Sequence, residues 1–283
     1  MDEKSLHHEK LPSTLRKGER DREIEGMEER EPEGSHAPPP LPPPPYTLPP
    51  IRLCSEDILF VIDADVEAKA EMKNSGPRGK PVTRLDSIKQ AVLLFVHSKL
   101  TINPDHRFAL ASLTQSPAWL RKEFTSNISN VLASFRMLSV ADSSCGVADL
   151  TNLFIVAANE GKRCQAESRI FRVILFYCRS STPPQYKWTL SQKNFTLDVI
   201  YLHDKPGPEN CPQRVYDALV DALDQVSEYD GYIFESGQGL SRTLFRQTCV
   251  LLSHPQQRCG QDDIDIPKPL ARKSVAAEAG EVQ

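Results

Sequence analysis

The stretch Ile58-Leu59-Phe60-Val61-Ile62-Asp63-Ala64-Asp65-Val66-Glu67 decides the fold. Five consecutive apolar residues that end on an acid describe a strand covered on both faces, as in a parallel sheet, where no side is left for polar alternation. The chain that follows fits that sheet. Residues 83–102 place Leu85, Ile88, Val92, Phe95 and Val96 on one helical stripe, with Thr83 and Asp86 spaced as a capping box. A strand is predicted at 108–113, helices at 128–138 and 150–158, and strands at 173–177 and 197–202. A further helix starts after Asn210, with Pro212 in its first turn and Val215, Leu219, Leu223 and Val226 on its inner face. A strand at 232–234 and a helix over 240–253, stopped by Pro255, complete the series. Strands alternating with helices argue for a three-layer α/β domain over 51–260, with a mostly parallel, Rossmann-like sheet and helices on both faces.

The flanks read differently. Residues 1–50 hold 11 of the 23 prolines, with runs at 38–40 and 42–45 amid clustered charge, and no periodic apolar pattern. That composition predicts a disordered or polyproline-like arm, either a solvated linker or a segment that docks on an aromatic groove. From Gln261 to 283 the composition predicts a second flexible tail. Residues 1–34 contain 11 acids and 7 bases, whereas 51–283 balances 27 against 27. A balanced body offers no general field for nucleic acid or anionic lipid. No apolar run nears the ~20 residues that span a bilayer, and the N-terminus does not read as a secretion signal. The seven cysteines, at 54, 145, 164, 178, 211, 249 and 259, form no C-x-x-C pair, which argues against a zinc site or a disulfide framework and for a reducing compartment.

In an open α/β sheet the ligand site lies outside the carboxyl ends of the strands. Asp63, Asp65 and Glu67 alternate there, so three carboxylates could face one point, and a hard cation such as magnesium is the physical reason to gather them. An apolar strand followed by D-x-D resembles a phosphatase of the haloacid-dehalogenase type, in which Asp63 would be the nucleophile and Asp65 the acid/base. That chemistry needs a later strand ending in paired acids. The later strands end instead in Tyr177-Cys178-Arg179, His203-Asp204 and Phe234-Glu235-Ser236.

The element order also resembles a von Willebrand factor A-type domain, whose metal-dependent adhesion motif D-x-S-x-S would begin at Asp63. Both serines are replaced by acids. The family's threonine would fall in Ser143-Ser144-Cys145-Gly146 and its later aspartate in Cys178-Arg179-Ser180. Two of the three parts of that site are missing and an arginine stands nearby, so the expectation is the fold without its metal.

Five stretches, in order, narrow the resemblance: Ile58 to Asp63; Phe108-Ala109-Leu110-Ala111-Ser112-Leu113 followed by Ala118-Trp119-Leu120; Val173-Ile174-Leu175; Asp198-Val199-Ile200-Tyr201-Leu202-His203; and Leu251-Leu252-Ser253-His254-Pro255-Gln256-Gln257-Arg258. Together they resemble the von Willebrand A-like subunit of the BRISC and BRCA1-A deubiquitinase complexes, the BABAM type. The resemblance implies a non-catalytic scaffold, without cofactor, in an assembly that cuts lysine-63-linked ubiquitin, with roles in the DNA-damage response, DNA repair, chromatin regulation and cytosolic signalling, hence in nucleus and cytoplasm. It implies direct contact with a subunit built from ubiquitin-conjugating-enzyme-like (UEV) domains. A metalloprotease and an Abraxas-type scaffold would lie further along. It also implies that Pro255 and Arg258, as a P-x-x-R element, reach a groove on the UEV-type subunit.

Other chemistries find little footing. The histidines at 7, 8, 36, 97, 106, 203 and 254 form neither H-x-H nor H-E-x-x-H, so the chain is not the zinc protease. G-x-S-x-G and a P-loop are absent. Cys178 and Cys249 lie in apolar runs and read as buried thiols, Gly237 and Gly239 as a tight turn, and Trp119 and Trp188 as flanking loops, either packed or as interface anchors.

Overall fold

A computed structural model describes residues 53–73, 82–190, 192–237 and 239–264. The expectations for the arm at 1–50 and for the chain beyond 264 lie outside the described residues. Among the described residues, eight strands, β1 (Glu56–Asp63), β2 (Glu71–Met72), β3 (Val82–Thr83), β4 (Arg107–Leu113), β5 (Pro117–Thr125), β6 (Ile170–Tyr177), β7 (Thr196–Leu202) and β8 (Ile233–Ser236), accompany five α-helices. These are α1 (Arg84–Ile102), α2 (Ile128–Met137), α3 (Thr151–Ala166), α4 (Pro212–Val226) and α5 (Ser241–Val250). The main sheet runs β5-β4-β1-β6-β7-β8, parallel throughout except for β5. It is the mostly parallel sheet with helices on both faces that the strand–helix alternation predicts.

β1 is central because it is apolar on both faces. Ile58, Phe60 and Ile62 join a core with α1, α2 and α5, while Leu59 and Val61 join a second core with α3 and α4. Phe60 meets Phe95 of α1 edge to face, with ring centroids 5.6 Å apart. α1 begins as its capping residues require: the Thr83 hydroxyl accepts the Asp86 N–H at 3.0 Å. Its predicted stripe of Leu85, Ile88, Val92, Phe95 and Val96 is buried.

Three local expectations are corrected. Trp119 does not flank a loop but lies inside β5, an antiparallel edge strand whose register shifts twice against β4. Half-exposed and irregular, β5 lacks the alternation that marks a strand in sequence. Cys249 is exposed, not buried, because α5 turns Leu244 and Thr248 inward. The chain also stays on the sheet past 260. The Gln261 side chain accepts the Ile233 N–H and donates to the Ile233 carbonyl, both at 2.7 Å, as a neighbouring strand would.

Candidate functional site

β1 and β6 are adjacent and parallel, and the chain order reverses between them. This brings Asp63, at the end of β1, beside Cys178-Arg179-Ser180, just after β6. Asp63 is fully buried. Its carboxylate accepts N–H groups of Asp65 and Cys178, both at 3.1 Å, and is gripped by Arg179 through Nε at 3.2 Å and Nη2 at 3.1 Å. Burial holds the Asp63 carboxyl above its ordinary value, against the pull of the guanidinium and the two N–H groups.

Asp65 is buried beside it. One oxygen accepts the Cys145 N–H at 2.7 Å; the other accepts from Glu67 N at 3.4 Å and so caps the single turn Val66–Lys69. That turn breaks the extended backbone on which alternation depended, so the three carboxylates do not converge. Glu67 points elsewhere. It accepts the Ser180 N–H at 2.9 Å and hydroxyl at 2.6 Å, with Arg84 3.9 Å away.

This set does not fit a divalent cation. Arg179 also donates to the Val147 carbonyl at 2.7 Å and to that of Thr114, so a fixed positive charge occupies the point where the oxygens meet. Nor does it fit the phosphatase alternative. A nucleophile must be open to substrate, and the Asp63 oxygens are enclosed by donors.

Nearby, His203 stacks on Tyr201, its centroid 4.7 Å from the phenol ring. Gly237 has no room for a side chain, since a Cβ there would lie 2.6 Å from the His203 ring. Gly239 takes a positive φ of 60°.

At the opposite end of the sheet, Pro255 and Arg258 are not arranged as the P-x-x-R expectation requires. Pro255 is buried and starts a single turn. The Arg258 side chain is fully buried and donates to both oxygens of Asp198, at 2.6 and 3.1 Å, and to the Ser253 hydroxyl at 3.2 Å. It lies 4.3 Å from the centre of the Tyr232 ring. The acid expected on a partner is supplied from within the chain. Gln256 and Gln257 are the exposed residues of the element, and Gln256 lines a groove of about 520 Å³ together with Lys193, Asp224, Glu228 and Asp230.

Asp198 also binds Arg172 at 2.6 Å, and Arg172 reaches Glu56 at 3.1 Å and the Leu251 carbonyl at 2.7 Å. Lys99 closes on Glu56. None of Glu56, Lys99 or Arg172 stood out in sequence as a group, because they lie on β1, α1 and β6 and only the sheet brings them together.

No family model matches the chain. Over 221 residues it is 26% identical to the rat (Rattus norvegicus) protein "BRISC and BRCA1-A complex member 1", covering 72% of this chain. It spans 64% of the length of that rat relative. The human (Homo sapiens) protein of the same name is 26% identical over 243 residues, 80% of this chain and 72% of its own. Among solved structures, the SpRpn10 VWA domain aligns with a TM-score of 0.46 and 17% identity, over 69% of this chain and 95% of that one. The TFIIH p34 N-terminal domain gives 0.45 and 11%, over 68% and 96%. The chain is a distant homologue of BRISC and BRCA1-A complex member 1.

Proposed function

We propose that this chain is a non-catalytic scaffold subunit of a BRISC/BRCA1-A-type assembly that cleaves lysine-63-linked ubiquitin, acting in the nucleus and the cytoplasm. The observation that carries the reading is the state of the strand ends. Where a sheet of this order presents its ligand, Asp63, Asp65 and Glu67 are all engaged by donors of the same chain, and no reacting group is left open among them. A sheet whose own site is closed has its outer surface to offer. The distant homology supplies the kind of assembly: the relatives' name places them in BRISC and BRCA1-A complexes. Its direct neighbour in this reading is the UEV-domain subunit, with the metalloprotease and the Abraxas-type scaffold beyond.

Pro255 and Arg258 keep a place in this proposal as anchors. They hold a turn that exposes Gln256 and Gln257, with Gln256 lining the groove, so Arg258 acts on the partner contact through the shape of the turn. Affinity isolation of the full chain from its native host, followed by mass spectrometry, tests the proposal. Recovery of a UEV-domain subunit together with a metalloprotease of the H-x-H type is the expected result. Recovery of the chain without either would overturn it.

A further inference from the structure

We infer that Arg179 is a tethered substitute for a divalent cation: its guanidinium sits at the focus of the strand-end oxygens and excludes metal from a site that the backbone still outlines. Three direct partners carry this. The Asp63 carboxylate comes from β1, the Thr114 carbonyl from the end of β4, and the Val147 carbonyl from the loop before α3. A fourth oxygen, Asp65 Oδ2, stands 3.9 Å from Nε. All are hard oxygen acceptors of the kind a magnesium, manganese or calcium ion selects. A guanidinium, which only donates, satisfies the same set through directed N–H groups.

The substitution accounts for details that a generic buried ion pair leaves loose. The guanidinium binds two backbone carbonyls from separate segments as well as the acid, so it ties β1, β4 and the 143–147 loop to β6. Asp65 needs no charge partner at hydrogen-bond distance, because the Cys145 N–H takes its inner oxygen. The side chain of Arg179 is 1% exposed, so it is enclosed by these groups and not offered to a ligand's acid. A metal ion entering beside it would meet like charge within a few Å, in a medium that screens poorly.

The test is reciprocal and uses the full chain. Manganese titrated into the wild-type protein and followed by electron paramagnetic resonance should show no saturable site, and millimolar magnesium or manganese should leave its melting temperature unchanged. Arg179→Ala should lower the melting temperature by roughly 10 °C, as for a buried carboxylate left unpaired. Manganese should then restore part of that loss, and should fail to do so in Arg179→Ala/Asp63→Asn. If Arg179→Ala is unfolded without metal, refolding it with and without manganese reads the same point. A saturable manganese site in the wild type that Asp65→Asn removes would overturn the inference. So would an Arg179→Ala protein that melts with the wild type, or one that gains no response to manganese.

Discussion

The two ends of the sheet solve one problem in different ways. Each buries arginine against carboxylate, yet at the carboxyl end Arg179 holds Asp63 together with two backbone carbonyls while Arg84 pairs separately with Asp204, whereas the amino end uses one connected chain of side chains: Lys99, Glu56, Arg172, Asp198 and Arg258. At the carboxyl end one guanidinium replaces a ligand, so its loss leaves a site. At the amino end each charge neutralises its neighbours, so one loss strands several others. The amino end is therefore structural and the carboxyl end is a converted binding site.

That contrast is broken most severely at Arg172. Arg172→Met should cost about 4–5 kcal/mol in urea unfolding, because Glu56 and Asp198 each lose a fully buried partner. A loss below that of Arg179→Ala would reverse the ranking of the two ends. Arg258→Ala should come next, at about 3 kcal/mol, since Asp198 keeps Arg172. Limited proteolysis should then cut the 251–264 segment first. The result bears on the partner contact as well: a weakened capture of the UEV-type subunit would accompany a loosened turn, not an intact one.

Acid should act on the amino end. His106 is buried, and desolvation lowers its pKa to about 4, with Glu56 opposing and Lys99 assisting. His254 is lowered for the same first reason. An unfolded histidine binds its proton near 6.5, so between pH 6.5 and about 4 the unfolded chain is protonated while the folded one is not. Stability is thus present above pH 6.5 and falls as pH drops through that window, by about 3 kcal/mol for His106. His106→Gln should flatten the slope of stability against pH; an unchanged slope would place the sensitivity elsewhere.

The smallest effect is expected at the β8 edge. Gln261→Ala removes the amide that pairs with both backbone groups of Ile233, at a cost of about 1 kcal/mol. Faster hydrogen exchange at the Ile233 N–H, without global loosening, is the readout.

Much of this was legible in the sequence, for identifiable reasons. The run from Ile58 to Ile62 could only be a strand covered on both faces, and Thr83 with Asp86 marked the start of α1 within a residue. Arg179 was visible as a charge near the site because it follows an apolar strand directly. β5 was not legible, since its pairing with β4 slips twice and leaves no alternation. The convergence of Asp63, Asp65 and Glu67 failed because Asp65 caps a turn that rotates Glu67 away. The amino-end network was invisible because its members are spread from 56 to 258, and Arg258 was read as a partner contact because the acid it meets within the chain, Asp198, lies 60 residues earlier.

The most direct measurement is recovery of the UEV-type subunit on the full chain in two buffers, one with excess chelator and one with magnesium. A sheet end held by its own arginine predicts equal recovery in both. Recovery lost in chelator and restored by magnesium would contradict the account.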